Sequence, residues 1–294
     1  MKSFIYDRYG YILDEDKETF DYEGFHFVIE RNEKSPQETE EMNNFVRSFS
    51  QDLFNKRGYI VPTRDNSLIV LSEFGNVSLV AIEEFKVSLN DLIRMHQYGM
   101  NYDSKTKLSY IKNRWINKLN LIETKIAPSL KVDEYYYQLI MICLTHATGM
   151  ANNAISYLED TIIDYNDNLK VTTLTHKRIN LNSYDLLNPF NIIIDSPMRD
   201  LAELYKNELI SFDTLKSLLI QYQATPKDVS ILFSRILYPT KFFDLIENDY
   251  LRRTDITSEI EAYYKSINQQ MLKIKKIHNY LVMSYGIRKI NWLE

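Results

Sequence analysis

A chain of 294 residues that is 45% hydrophobic and 26% charged has the make-up of a soluble globular protein, long enough for one large domain or two lobes. A net charge of -5 gives no overall positive field for nucleic acid or an anionic membrane. The single cysteine, Cys143 in an apolar run, excludes an intrachain disulfide or a multi-cysteine metal centre and reads as a buried thiol in a reducing compartment.

The amino terminus lacks an apolar signal core, and no run approaches the ~18 apolar residues of a membrane span, so the expected location is cytoplasmic. Residues 1–35 read as short strands, with Phe25-His26-Phe27-Val28-Ile29 the clearest. Ser35-Pro36 followed by Glu38 predicts a helix start, running to about Lys56 and ending at Gly58. Two β-rich runs follow, Ser67–Ser72 and Val77–Glu83, joined through Phe74-Gly75-Asn76 as a hairpin. Glu83-Glu84-Phe85 is then a hinge, and Ser88-Leu89 opens the next helix.

Helical spacing dominates from there, over Leu89–Gln97, Tyr110–Leu121 and Glu134–Asp160, the last interrupted at Gly149. Short strands are expected at Leu186-Leu187 and Ile192–Ile194. Beyond Asp200 at least three more helices are predicted, with breaks at Thr225-Pro226 and Tyr238-Pro239 and a long amphipathic helix over Thr254–Tyr285. Seven glycines are too few for a glycine-rich phosphate loop; the 22 tyrosines read either as an interaction surface or as core and compositional bias.

Several stretches carry a resemblance. Leu92-Ile93-Arg94-Met95-His96 resembles the helix ending Leu-x-x-x-His of aminoglycoside-phosphotransferase-like proteins. Gly149-Met150-Ala151-Asn152-Asn153-Ala154-Ile155-Ser156-Tyr157-Leu158-Glu159-Asp160-Thr161 and Asp195-Ser196-Pro197-Met198-Arg199-Asp200-Leu201-Ala202-Glu203 are similar to signatures of the spore-coat-associated YutH family, relatives of the CotS coat kinases. The resemblance implies an α+β, bilobal protein-kinase-like (aminoglycoside phosphotransferase-like) fold. Its small β-rich N-lobe would span 1–83 and its large α-helical C-lobe 84–294.

The same resemblance says where phosphoryl transfer needs its groups, and the chemistry can be checked at each. A phosphate-gripping Lys is expected on the strand 27–31, where Glu30 stands instead; Arg31 points to the other side of a strand. His176-Lys177-Arg178 replaces His-Gly-Asp, so the proton acceptor has become Arg178, which stays charged. The metal-binding Asn position falls close to Asn182-Ser183, where a ligand survives after a one-residue shift, and the metal-binding Asp falls at Asp195, whose plainer reading is a strand-end acid bonded to backbone amides. Asp200 reads as a structural helix cap with Glu203 reaching back, and His96 and His176 as structural.

No catalytic residue is therefore nominated; the degenerate loop His176, Lys177 and Arg178 with a structural Asp200 is the expectation, and Asp195 and Asn182 are the candidates for cofactor or, for Asp195, metal. The leading functional reading is a degenerate kinase-like protein, binding protein partners such as spore coat proteins without efficient phosphotransfer, in a spore coat if the source sporulates. Neither nucleic acid nor membrane is an expected partner. The alternatives are an active atypical kinase of a small molecule or protein, which requires ATP and Mg, and a nucleotide sensor without chemistry.

Overall fold

The structure, a computed structural model, describes residues 2–15, 17–73, 75–100, 106–130, 134–169, 171–252 and 255–293. Contacts divide the chain into two compact units, one of residues 1–103 and 171–197 and the other of 104–170 and 198–294.

The first unit opens with a helix where strands were expected. Helix α1, Lys2–Tyr9, buries Ile5 completely, and Gly10 follows in the left-handed region with its N–H on the carbonyl of Tyr6. Strands β1 (Thr19–Tyr22) and β2 (Phe25–Arg31) form a hairpin. Helix α2, Pro36–Phe54, begins as predicted, because Ser35 and Glu38 form a reciprocal capping box. It ends earlier than predicted. Asn55 takes the left-handed cap, whereas Gly58 opens strand β3, Gly58–Val61.

Strands β4 (Val70–Ser72) and β5 (Gly75–Glu83) pair with Ser72 opposite Gly75, so Gly75-Asn76 lies in the strand and not in the turn; Phe74 lies outside the described residues. The sheet order is β1-β2-β5-β3, with β4 also on β5. Both faces of β5 are covered, which is why Val77–Ile82 is buried without alternation. Leu79 and Ala81 join Phe25, Phe27 and Val61 beneath Ile5 and Leu13. Val80 and Ile82 point the other way, toward the side on which Val46 of α2 approaches Gly58.

Polar ties fix α2 against that side. The buried Asn43 accepts the N–H of Ile60 at 2.7 Å, and Asn32, fully buried, donates to Ser78 and Thr39 at 2.8 and 3.0 Å. Asn43→Ala leaves the Ile60 N–H unpaired inside the unit and is expected to cost about 1–3 kcal/mol, read from the urea midpoint; a loss below a few tenths would mean that water replaces the bond.

Helix α3, Leu89–Tyr98, starts as predicted on a Ser88–Asp91 capping box. The second unit takes up α4 (Leu108–Leu121) and α5 (Glu134–Tyr165), which runs unbroken through the predicted interruption at Gly149. A lone helical glycine costs about 1 kcal/mol against alanine and does not end a helix of this length. Cys143 on α5 is buried as expected, and burial pushes its thiol up to about 11.

In the first unit, strand β6 (Thr173–His176) and helix α6 (Ser183–Leu187) precede β7 (Ile192–Asp195), which pairs antiparallel with β6. Leu186-Leu187 is thus helix, correcting the strand expected there. The second unit continues with α7 (Met198–Lys206), α8 (Phe212–Gln221), α9 (Pro226–Leu237), α10 (Thr240–Arg252) and α11 (Thr257–Tyr285). The expected start of the last helix at Thr254 lies outside the described residues. Nine consecutive residues of α9, Val229–Leu237, are buried, with Phe233 edge-on to Tyr157 of α5 and tilted against His278 of α11. Such all-round burial marks α9 as the axis on which this unit packs.

Candidate functional site

Alternation along β2 sends Phe25 and Phe27 into the core beside α1 and turns His26, Val28 and Glu30 to the opposite face. Arg31, next in line, is exposed and cannot share that face. Segment 171–197 supplies the groups that meet Glu30. It is held in place by two close approaches. The hydroxyl of Thr173 donates to the carbonyl of His96, while Gly99, at the end of α3, has no room for a side chain beside Leu174. Gly58 plays a similar part, since a Cβ there would stand 3.2 Å from Leu187 of α6.

The carboxylate of Glu30 accepts from the hydroxyl of Tyr184 and from the side-chain amide of Asn188 at 2.7 Å, and the same amide lies 2.7 Å from the Tyr184 oxygen. Burial, and then the charge of Glu30, push the Tyr184 phenol well above its ordinary range, which keeps it a donor. Where the resemblance calls for a lysine, an acid is bonded by two donors from α6 and its end. Sequence reasoning missed Tyr184 and Asn188; they stand 154 and 158 residues from Glu30, with no local signal to link them.

The loop between β6 and β7 is organised by another residue the sequence did not single out, Asn191. Its side chain accepts the N–H of Arg178 at 3.0 Å and donates to the carbonyls of Arg178 and Asp185, both at 2.7 Å. Its own carbonyl accepts the N–H of Lys177 at 2.8 Å. The Arg178 guanidinium donates to the Lys177 carbonyl at 2.6 Å, so the loop carries a fixed cation where a proton acceptor is expected.

His176 is fully buried with its Nε2 3.3 Å from the Leu186 carbonyl, and His96 lies on the buried side of α3 itself. Asn182 caps α6: its side-chain oxygen accepts the N–H of Asp185 at 2.6 Å, and Asp185 in turn accepts from Asn180. Asp195 is 3% exposed at the end of β7 and accepts the N–H of Ser196 at 2.7 Å. Asp200 belongs to the other unit. It is the third residue of α7, fully buried in the first turn, and not the cap expected, because the helix starts at Met198. Glu203 bonds Lys206 at 2.7 Å.

Within the second unit alone is a cavity of about 130 Å³, lined among others by His146, Met150, Glu203, Tyr238, Phe242 and Tyr263; neither Asn182 nor Asp195, the cofactor candidates, lines it. His146 bonds the Tyr263 hydroxyl at 3.2 Å, and burial pushes its imidazole below the usual range.

A family model described as Spore coat putative kinase YutH matches residues 2–282. The endospore coat-associated protein YutH of Bacillus subtilis (strain 168) is 24% identical over 194 residues, 59% of this chain and 56% of the relative, so the match spans little more than half of that protein's length. Among solved structures, an aminoglycoside phosphotransferase from Alicyclobacillus acidocaldarius subsp. acidocaldarius DSM 446 is similar with a TM-score of 0.56 at 13% identity, covering 92% of this chain and 90% of that one. A spectinomycin phosphotransferase solved with ADP and spectinomycin gives 0.52 at 12% identity, covering 91% and 92%. These likenesses establish the fold, the bilobal kinase-like α+β architecture of small sheet and helical remainder expected from the sequence.

Proposed function

This chain belongs to the spore coat YutH family, and from that premise we propose that it is a pseudokinase, a kinase-like scaffold that binds coat proteins without efficient phosphotransfer. The observation that carries the reading is the pairing of Glu30 with Tyr184 and Asn188. Positioning and charge neutralisation supply nearly all of phosphoryl-transfer catalysis. An anion at the lysine position repels a triphosphate, and the Arg178 cation cannot accept the substrate's proton. The Asn182 oxygen is engaged in a helix cap, which leaves Asp195 as the remaining candidate for magnesium. A single carboxylate is a poor fit to an ion that favours six oxygen ligands. Loss of a general base alone lowers the rate by about 10²–10⁴.

Coat association is supported by the name of the Bacillus subtilis relative. The second reading, an active atypical kinase, is favoured by one observation, the buried Asp195 at a strand end. Incubation of the full chain and coat extract with radiolabelled ATP and Mg²⁺ separates the two. No transfer above that of an Asp195→Ala control is expected; transfer that the control abolishes would refute the proposal.

A further inference from the structure

The face of the sheet that carries Glu30 ends in a second polar cluster. Asp21 on β1 stands directly opposite His26 on β2, and Ile82 on β5 is the other cross-strand partner of His26. Glu84 lies two residues beyond Ile82, hence on the same face, and its N–H bonds the Gly24 carbonyl at 3.0 Å. Two paired strand positions and the residue just past the end of β5 thus present two carboxylates and an imidazole side by side. The ligand atoms of Asp21, His26 and Glu84 all lie within 4.8 Å of one another, and Asp21 Oδ1 is 2.6 Å from His26 Nδ1.

We propose that Asp21, His26 and Glu84 form a binding site for a borderline divalent cation of the zinc class. Ligands at about 2.0–2.2 Å from a tetrahedral ion sit about 3.3–3.6 Å apart, a spacing between the 2.6 Å contact and the 4.8 Å limit seen here. An imidazole with two carboxylates is a donor set suited to zinc, whereas magnesium prefers oxygen ligands alone. Three protein ligands leave a fourth position open to water or to a ligand from a partner, and the side chains of Asp21 and His26 are 70% and 31% exposed.

Orientation is supplied from behind the site. The His26 ring packs edge-on against Tyr184, with centroids 5.6 Å apart, and Tyr184 is itself anchored by Glu30 and Asn188. That aromatic contact limits how the imidazole can turn. The site is independent of the pseudokinase reading, since none of its three ligands is a group that phosphoryl transfer requires.

Isothermal titration of the full, tag-free chain with zinc chloride tests it. One saturable equivalent is expected, weakened at least tenfold by His26→Ala and by Glu84→Gln, and not displaced by excess magnesium. Because these side chains lie at the surface, both variants should keep the wild-type circular dichroism. The His26 ring protons should also shift on zinc addition in the NMR spectrum. Absence of saturable uptake would overturn the proposal, as would uptake that neither variant weakens or unmoved His26 resonances.

Discussion

Gly99→Ala is expected to destabilise the chain by about 3 kcal/mol, the upper end of the cost of overpacking a buried contact. An ideal Cβ at Gly99 would lie 2.6 Å from the backbone nitrogen of Leu174, 2.7 Å from that residue's side chain and 2.8 Å from the Thr173 hydroxyl. Two of these could turn aside, but the nitrogen belongs to β6 and cannot move without the strand. The methyl would therefore push the end of α3 from the hairpin that carries His176 and Asp195. Urea denaturation should show the loss as a lower midpoint. A variant as stable as the wild type would mean that α3 and β6 are not seated this closely.

Asn188→Ala is the second large effect, expected at about 2–3 kcal/mol. Asn188 is 3% exposed and its amide bonds both Glu30 and Tyr184. Truncation leaves a half-buried carboxylate with one donor fewer, and a charged acceptor without its partner costs more than the bond was worth. Glu30→Ala should cost less, because it removes the charge while Tyr184 and Asn188 still bond each other. The Glu30→Ala, Asn188→Ala double variant should then be less damaged than the sum of the two, by 0.5 kcal/mol or more. Strict additivity would contradict a shared network.

What the sequence revealed follows from how local each signal is. Helix starts at Pro36 and Leu89 are legible because each cap is written within four residues, Ser35 with Glu38 and Ser88 with Asp91; Thr225-Pro226, read as a break, is capped the same way by Asp228. Short elements are not legible. In α1 only Ile5 is buried, so no apolar period marks it, although Gly10 signals its end. Strand β3 has four residues, and α6, with Leu186-Leu187 inside it, is too short for its period to be told from a strand's. At the site, Glu30 and Arg178 could be placed by resemblance. Their partners could not, since Tyr184, Asn188 and Asn191 reach them through tertiary contacts that no spacing encodes.

The central claim is that this kinase-like chain has lost its grip on the triphosphate. Titration of the full chain with Mg-ATP, followed by calorimetry and by thermal denaturation, tests it most directly. A ligand at a hundred times its dissociation constant stabilises a protein by about 2.7 kcal/mol, a rise of a few degrees for a chain of this size. The account predicts no heat of binding and an unchanged midpoint at millimolar Mg-ATP. Saturable binding with a raised midpoint, lost in Asp195→Ala, would contradict it.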